Sequence, residues 1–232
     1  MIPEEVSASD LHHEIRAELR PLTKSVADAV ARRLVAAGEL FDSEPTIALA
    51  HASAARKLAP RIGVVREAVG LAAYRTGQWK LAISELRAYQ RISGRQTHLA
   101  VIADCERALG RPERAIDIYR STESRGHTPE EHIELLIVAA GARRDLRQSE
   151  AAAAMLQVPA LRDGPREPWV ARLRFAYADL LLELGDQDRA RQWLRRAVDA
   201  DPQAETGAAE RLLELDGVLL DEVESEPDGL QE

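Results

Sequence analysis

"LLLELGDQDRARQWLRRAVDADP" runs from Leu180 to Pro202. It holds one glycine, Gly185, then alanines at Ala190 and Ala197, then Pro202. Apolar residues before and after Gly185 recur at three- and four-residue steps, which is helical spacing. A glycine between two such runs suits a left-handed helix end. The small residues sit at fixed offsets because two helices that fold back on each other need room where they cross.

The offsets recur. Ala68 to Gln90 reads "AVGLAAYRTGQWKLAISELRAYQ", Val101 to Ser121 reads "VIADCERALGRPERAIDIYRS", and Phe175 to Val198 reads "FAYADLLLELGDQDRARQWLRRAV". In each, an alanine follows the glycine by five (Ala82, Ala115, Ala190), and a small residue precedes it by seven (Gly70, Ala103, Ala178). A larger apolar residue stands four beyond the alanine: Leu86, Tyr119 and Leu194. Gly77 to Gly110 is 33 residues, a repeat period.

The pattern resembles the tetratricopeptide repeat, a pair of antiparallel helices of about 34 residues. The stretches "VVREAVGLAAYRTG", "ADCERALGRPERA", "IVAAGARRDL" and "REPWVARLRFAYADLL" extend the likeness. They resemble a family of small cytoplasmic tetratricopeptide-repeat proteins of high-GC Gram-positive bacteria, a resemblance that implies the fold and brings no activity with it.

Two further units are less regular. Gly38 ends a helix from about Thr23, and Ala48, Ala55 and Pro60 match Ala190, Ala197 and Pro202, with the turn "ELFDSEP" about five residues longer. In the fourth unit Ala139 and Ala151 take the small sites, Leu146 stands in the glycine's place, and Pro159 cuts the second helix short. "GHTPEEHIELLIV" signals a capping box at Thr128 and Glu131 with Pro129 opening the helix, and Asp145 with Gln148 gives a weaker one. Pro45, Pro112, Pro168 and Pro202 suit first-turn positions.

The expected fold is all-α, with about twelve helices. It is a right-handed tetratricopeptide-like solenoid of about five hairpins, with a leading helix and a C-terminal capping helix. The expected organisation is an N-terminal segment at 1–22, whose helix at 9–20 stops at Pro21, then an array at 23–202. Its units lie at about 23–60, 62–94, 96–125, 129–160 and 167–202. A capping helix at 203–223 follows, with the apolar stripe Leu212, Leu213, Leu215, Val218 and Leu219, and then a disordered acidic tail at 224–232.

Composition supports this reading. Aromatics are only 4 % against 45 % hydrophobic residues, so Ala, Leu and Val must supply the buried area. The one cysteine, Cys105, permits no internal disulfide and fits a reducing compartment. The N-terminus has neither a basic nor an apolar leader region, and no apolar run approaches a membrane span, so the expected place is the cytoplasm. Net charge is −8, but six acids in the last twelve residues supply most of it. Residues 56–125 hold fourteen Lys/Arg against seven Asp/Glu, a basic block that most simply solvates helix faces.

No phosphate loop, Gly-x-Ser-x-Gly elbow or His-Glu-x-x-His is present. His98 and Cys105 are two ligands at most, short of a zinc site. No catalytic residue, cofactor or metal is expected. Tyr74, Trp79, Tyr89, Tyr119, Tyr177 and Trp193 fall at packing positions, whereas Trp169 and Phe175 are candidates for a partner surface.

The resemblance implies a concave face lined by the first helix of each pair. Helical spacing then places there Asp28 and Arg32; Glu67, Leu71, Tyr74 and Arg75; Ala100, Asp104 and Arg107; Arg143; and Arg172, Phe175 and Asp179. The Lys and Asn clamp that such grooves use on a peptide carboxylate is not reproduced at Asp28, Arg32, Glu67, Leu71, Ala100 and Asp104. The expected function is a non-enzymatic adaptor holding a peptide or helix of another protein. The alternatives are RNA or ribosome association through the basic block, which the negative net charge disfavours, and self-association of a monomer into a small homo-oligomer.

Overall fold

Among the described residues every regular element is helical. The computed structural model describes residues 6–122 and 127–217. A 3-10 turn at Ala8–Asp10 and α1 (His13–Glu18) lead into α2 (Lys24–Glu39), α3 (Pro45–Leu58), α4 (Gly63–Arg75), α5 (Trp79–Ser93), α6 (Leu99–Ala108), α7 (Pro112–Ser121) and α8 (Pro129–Asp145). Then come α9 (Ser149–Met155), α10 (Pro159–Asp163), α11 (Pro168–Glu183), α12 (Gln187–Val198) and α13 (Ala208–Leu215). The chain divides into two compact units, residues 1–146 and 147–232.

In the first unit α2 to α8 each pack on their neighbours in sequence, and α1 packs on α4. The pairs α2–α3, α4–α5 and α6–α7 are hairpins, α3 lies on α4, α5 on α6, and α8 on both α6 and α7. This nearest-neighbour stacking is the helical-repeat arrangement read from the offsets. In the second unit α11 and α12 form the hairpin, α9 and α10 pack on α11, and α13 covers α12.

The hairpin turns share one geometry. Gly77, Gly110 and Gly185 have φ of 70°, 71° and 81°. Behind them Gln78, Arg111 and Asp186 donate their backbone N–H to Ala73, Glu106 and Leu181 at 2.8, 2.9 and 2.9 Å. This is the six-to-one bond that closes a left-handed helix end. Residue four of each second helix is then an alanine with no exposed surface: Ala48, Ala82, Ala115, Ala152 and Ala190. At the α4–α5 crossing the fit is tight on both sides. A Cβ on Gly70 would stand 2.7 Å from Leu86 side-chain atoms and 3.2 Å from its backbone nitrogen, inside contact distance.

The turn after α8 falls one residue later than the sequence offsets suggest. The left-handed position is Arg147, with φ 62°, and not Leu146, which closes α8 in a near-helical conformation. Counting from Arg147, the small residue seven before is Ala140 and the alanine five after is Ala152, both buried, with buried Leu156 four beyond. Ala139 and Ala151 are therefore not the register positions, and Ala151 is only half-buried.

Other local expectations need correction. Gly38 lies inside α2 with no left-handed backbone, so the helix runs on to Glu39. The turn to α3, residues 40–44, is then only two residues longer than the three-residue turns elsewhere. Asp145 is the last residue of α8, and the Gln148 side chain makes no cap of α9. The leading helix is shorter than 9–20, because the segment bends at Leu11 before α1 starts. Pro202 opens no helix. Asp201 accepts hydrogen bonds from the N–H groups of Glu205 and Thr206 at 2.9 and 2.8 Å and from the Thr206 hydroxyl at 2.6 Å. These bonds hold an irregular loop, so α13 begins only at Ala208, after Gly207 with φ 72°. Thr128 does form the capping box, its hydroxyl accepting from Glu131 N and its own N–H donating to the Glu131 carboxylate. Pro45, Pro112 and Pro168 open α3, α7 and α11, and Pro159 opens α10 after α9 has ended. The acidic tail and Val218 and Leu219 lie outside the described residues.

Candidate functional site

Helices α2, α4, α6 and α8 of the first unit carry most of the expected groove residues. The structure ties many of them to each other. The Tyr74 hydroxyl donates to Asp104 at 2.8 Å. Arg107 donates Nη1 to Asp104 at 3.0 Å and places its fork on Asp145, with Nε at 2.9 Å and Nη2 at 3.3 Å. The guanidinium lies against Gly141, where a Cβ would stand 2.8 Å from its carbon and make it shift. Burial, and next the bond to the Asp104 carboxylate, push the Tyr74 phenol well above its ordinary range. The chain Tyr74–Asp104–Arg107–Asp145 joins α4, α6 and the end of α8 as a stitch between repeats.

The remaining members are placed as follows. Glu67 pairs with His98 at 2.6 Å. His98 holds φ 60° as it starts α6 and lies 5.7 Å from the Tyr89 ring. Arg75 reaches Asp42 at 3.1 Å and lies over the Phe41 ring. Arg32 donates to the Val6 carbonyl at 2.7 Å, and Asp28 is exposed. Arg143 sits in the last turn of α8. Ala100 lines a cavity of about 420 Å³ together with Glu67, Thr97, His98, His127 and His132. In the second unit Phe175 packs with Ala178, Leu194, Ala208 and Leu212 under α13, so it is a core-edge residue. Arg172 approaches Glu205 at 4.0 Å and Asp179 approaches Arg211 at 3.7 Å. The aromatics pair as packing groups, Tyr74 on Trp79 and Tyr177 on Trp193, and Trp169 is half-buried.

A second opening in the first unit is apolar. Leu11, Ile15, Leu34, Gly38, Phe41, Val64 and Leu71 line a groove of about 220 Å³, and Glu67 is its one charged lining residue among those described. Leu71 and Glu67 were visible from helical spacing. Leu34 and Phe41 were not singled out, although each lies on or beside α2, and the contribution of Leu11 and Ile15 depends on where the leading segment folds.

The basic block is largely occupied by its own chain. Glu85 and Glu106 are both buried. Arg56 and Arg66 close on Glu85, and Arg87, Arg111 and Arg114 surround Glu106. These contacts cross between helices, which i, i+4 reading could not reveal.

Reactive groups are quiet. Cys105 is buried in the core, and burial, with the charges of Asp104 and Glu106 behind it, pushes its thiol up to about 12. Among the described residues no three ligating side chains gather as a metal site, and no helix is long and apolar enough to cross a membrane.

Residues 138–205 match the tetratricopeptide repeat family. The match begins within α8 and takes in α9, α10 and the α11–α12 hairpin. No curated protein matches the sequence.

Proposed function

We propose, from a chain that carries tetratricopeptide repeat sequence at residues 138–205, a non-enzymatic cytoplasmic adaptor that holds a peptide or short helix of another protein. Its five repeat units fall within 23–202. The observation that carries this is the apolar groove beside α1, α2 and α4, with Leu34, Phe41 and Leu71 along it and Glu67 at its side. A strip of aliphatic and aromatic surface suits two or three apolar anchors of a partner, and Glu67 suits a basic residue beside them. Arg107 and Asp104, by contrast, stabilise the stack. The arginines of the basic block lean on Glu85 and Glu106, so that block offers less charge to RNA than its composition suggests.

The test is crosslinked affinity purification from native cells, with and without nuclease, using the wild-type chain and Leu71→Glu. The expected result is a protein partner retained after nuclease and lost with Leu71→Glu, while the variant keeps its circular dichroism. Loss of all captured material on nuclease treatment would contradict the adaptor reading.

A further inference from the structure

Two buried carboxylates of the first unit gather arginines in opposite ways. At Glu85 on α5 the arrangement is closed. Arg56 from α3 and Arg66 from α4 both reach it, Arg66 at 2.8 Å, and both side chains are mostly buried. Arg66 spends its Nε on the Pro60 carbonyl at 2.7 Å. Two arginines share one carboxylate with short bonds, and the cluster locks three helices together.

At Glu106 on α6 the arrangement is open. Arg87 from α5 lies at 3.4 Å, Arg111 before α7 at 3.4 Å and Arg114 on α7 at 3.7 Å. Each uses one terminal nitrogen, and the three side chains are 50 %, 43 % and 62 % exposed, while Glu106 is 2 % exposed. Among the described residues no other acid is an ion-pair partner of any of the three. Three guanidinium groups around one carboxylate leave an excess of two positive charges. They repel one another, and only one terminal nitrogen of each approaches Glu106. Arg111 is also the N-cap of the ten-residue α7, where the helix dipole adds positive potential. The nearby acids on α7 offset little: Asp117 is drawn to Arg120 at 4.0 Å, and Glu113 is exposed.

We infer that Arg87, Arg111 and Arg114, backed by Glu106, form a binding site for a phosphate monoester. Planar forks match the tetrahedral oxyanion with paired hydrogen bonds, which an arginine makes and a lysine cannot. A dianion concentrated at one point gains from three converging arginines more than a line of phosphodiester monoanions does. Glu106 holds the forks apart and in place, and its burial keeps it from meeting the ligand. The phosphate can belong to a phosphorylated side chain of a partner or to a small phosphorylated molecule. The site does not depend on the apolar groove, so either can fail alone.

The test is calorimetric titration of the full chain, at fixed ionic strength balanced with chloride. The probes are inorganic phosphate, O-phosphoserine, a phosphoserine peptide with its unphosphorylated twin, and a single-stranded oligonucleotide. Saturable binding of phosphate and phosphoserine is expected, weakened about tenfold by Arg111→Gln or Arg114→Gln. Lys57→Gln, which removes the same charge elsewhere in the basic block, should leave binding unchanged. Tighter binding of the phosphopeptide than of phosphoserine identifies a protein source, and equal binding identifies a small molecule. Arg114→Lys, which keeps the charge and loses the fork, should bind more weakly than wild type. Arg114 is the most exposed of the three, so its variants carry the test even if Arg111→Gln fails to fold. No saturation above the chloride control, an unchanged affinity in Arg114→Gln, or tighter binding of the oligonucleotide than of phosphoserine would each overturn the inference.

Discussion

The turns at Gly185 and Arg147 trace the same path with different chemistry. Leu184 and Leu146 close their helices at φ −80°, ψ 0° and φ −83°, ψ 9°. A left-handed residue follows each, at φ 81° and 62°. The next residue, Asp186 or Gln148, starts the following helix at ψ 71° or 48°. Five positions on lie Ala190 and Ala152, both fully buried. Glycine takes the left-handed backbone without penalty, whereas a residue with a Cβ loses roughly 1–2 kcal/mol there. The second turn persists despite that cost. The alanine, not the glycine, is therefore the constant of the repeat. The glycine makes the turn easy, and the alanine makes the crossing fit.

The largest effect should come from filling that crossing. Ala190→Trp is expected to destabilise the second unit by about 3 kcal/mol or more, read as a fall in the urea midpoint. An unchanged midpoint would break the comparison at its better-formed end.

Next is the exit from α12. Asp201 is buried, and burial alone would raise its carboxyl. The Thr206 hydroxyl and the two backbone donors outweigh burial and hold the group below the usual carboxylate range. A depressed folded value means that this stabilisation is present above the unfolded value of about 4 and is lost as pH falls through the folded one. Asp201→Asn should cost about 1–3 kcal/mol at neutral pH and flatten the acid limb of stability against pH, followed by circular dichroism.

The turns themselves give smaller effects of opposite sign. Gly185→Ala should lose about 1 kcal/mol, whereas Arg147→Gly should gain a few tenths to about 1 kcal/mol as the strain is relieved. Thermal midpoints of the two variants moving in the same direction would contradict the shared geometry. A change of similar size is expected at Gly38, which is helical and has open space where a Cβ would point. Gly38→Ala should therefore stabilise by about 0.5–1 kcal/mol, the reverse of Gly185→Ala.

The pairing of helices was legible because glycine, alanine and proline are local signals. The offsets around Gly77, Gly110 and Gly185, and the Thr128–Glu131 box, each involve residues a turn or two apart. The turn at Arg147 lies one residue beyond the position the offsets predict, because a left-handed arginine has no sequence signature. Helical spacing puts Asp104 and Arg107 on one face of α6, and Glu67 and Leu71 on one face of α4. It could not show that Arg107 would reach Asp145, since that contact spans 38 residues. Helical spacing places Phe175 on α11 but not what covers it, since α13 starts only where the Asp201 loop ends. The buried carboxylates Glu85 and Glu106 were hidden for the same reason. Composition showed a basic block, and only folded geometry shows which acids it surrounds.

The register of the fourth unit is where the account is most exposed, and neighbouring alanines test it directly. Ala152 is fully buried and Ala151 half-buried, so the urea midpoints of Ala152→Leu and Ala151→Leu should be measured side by side. A marked fall for Ala152→Leu with Ala151→Leu near wild type is the expected result. Equal falls, or a larger one for Ala151→Leu, would show that the position five beyond the turn is not the close-packed one in α9.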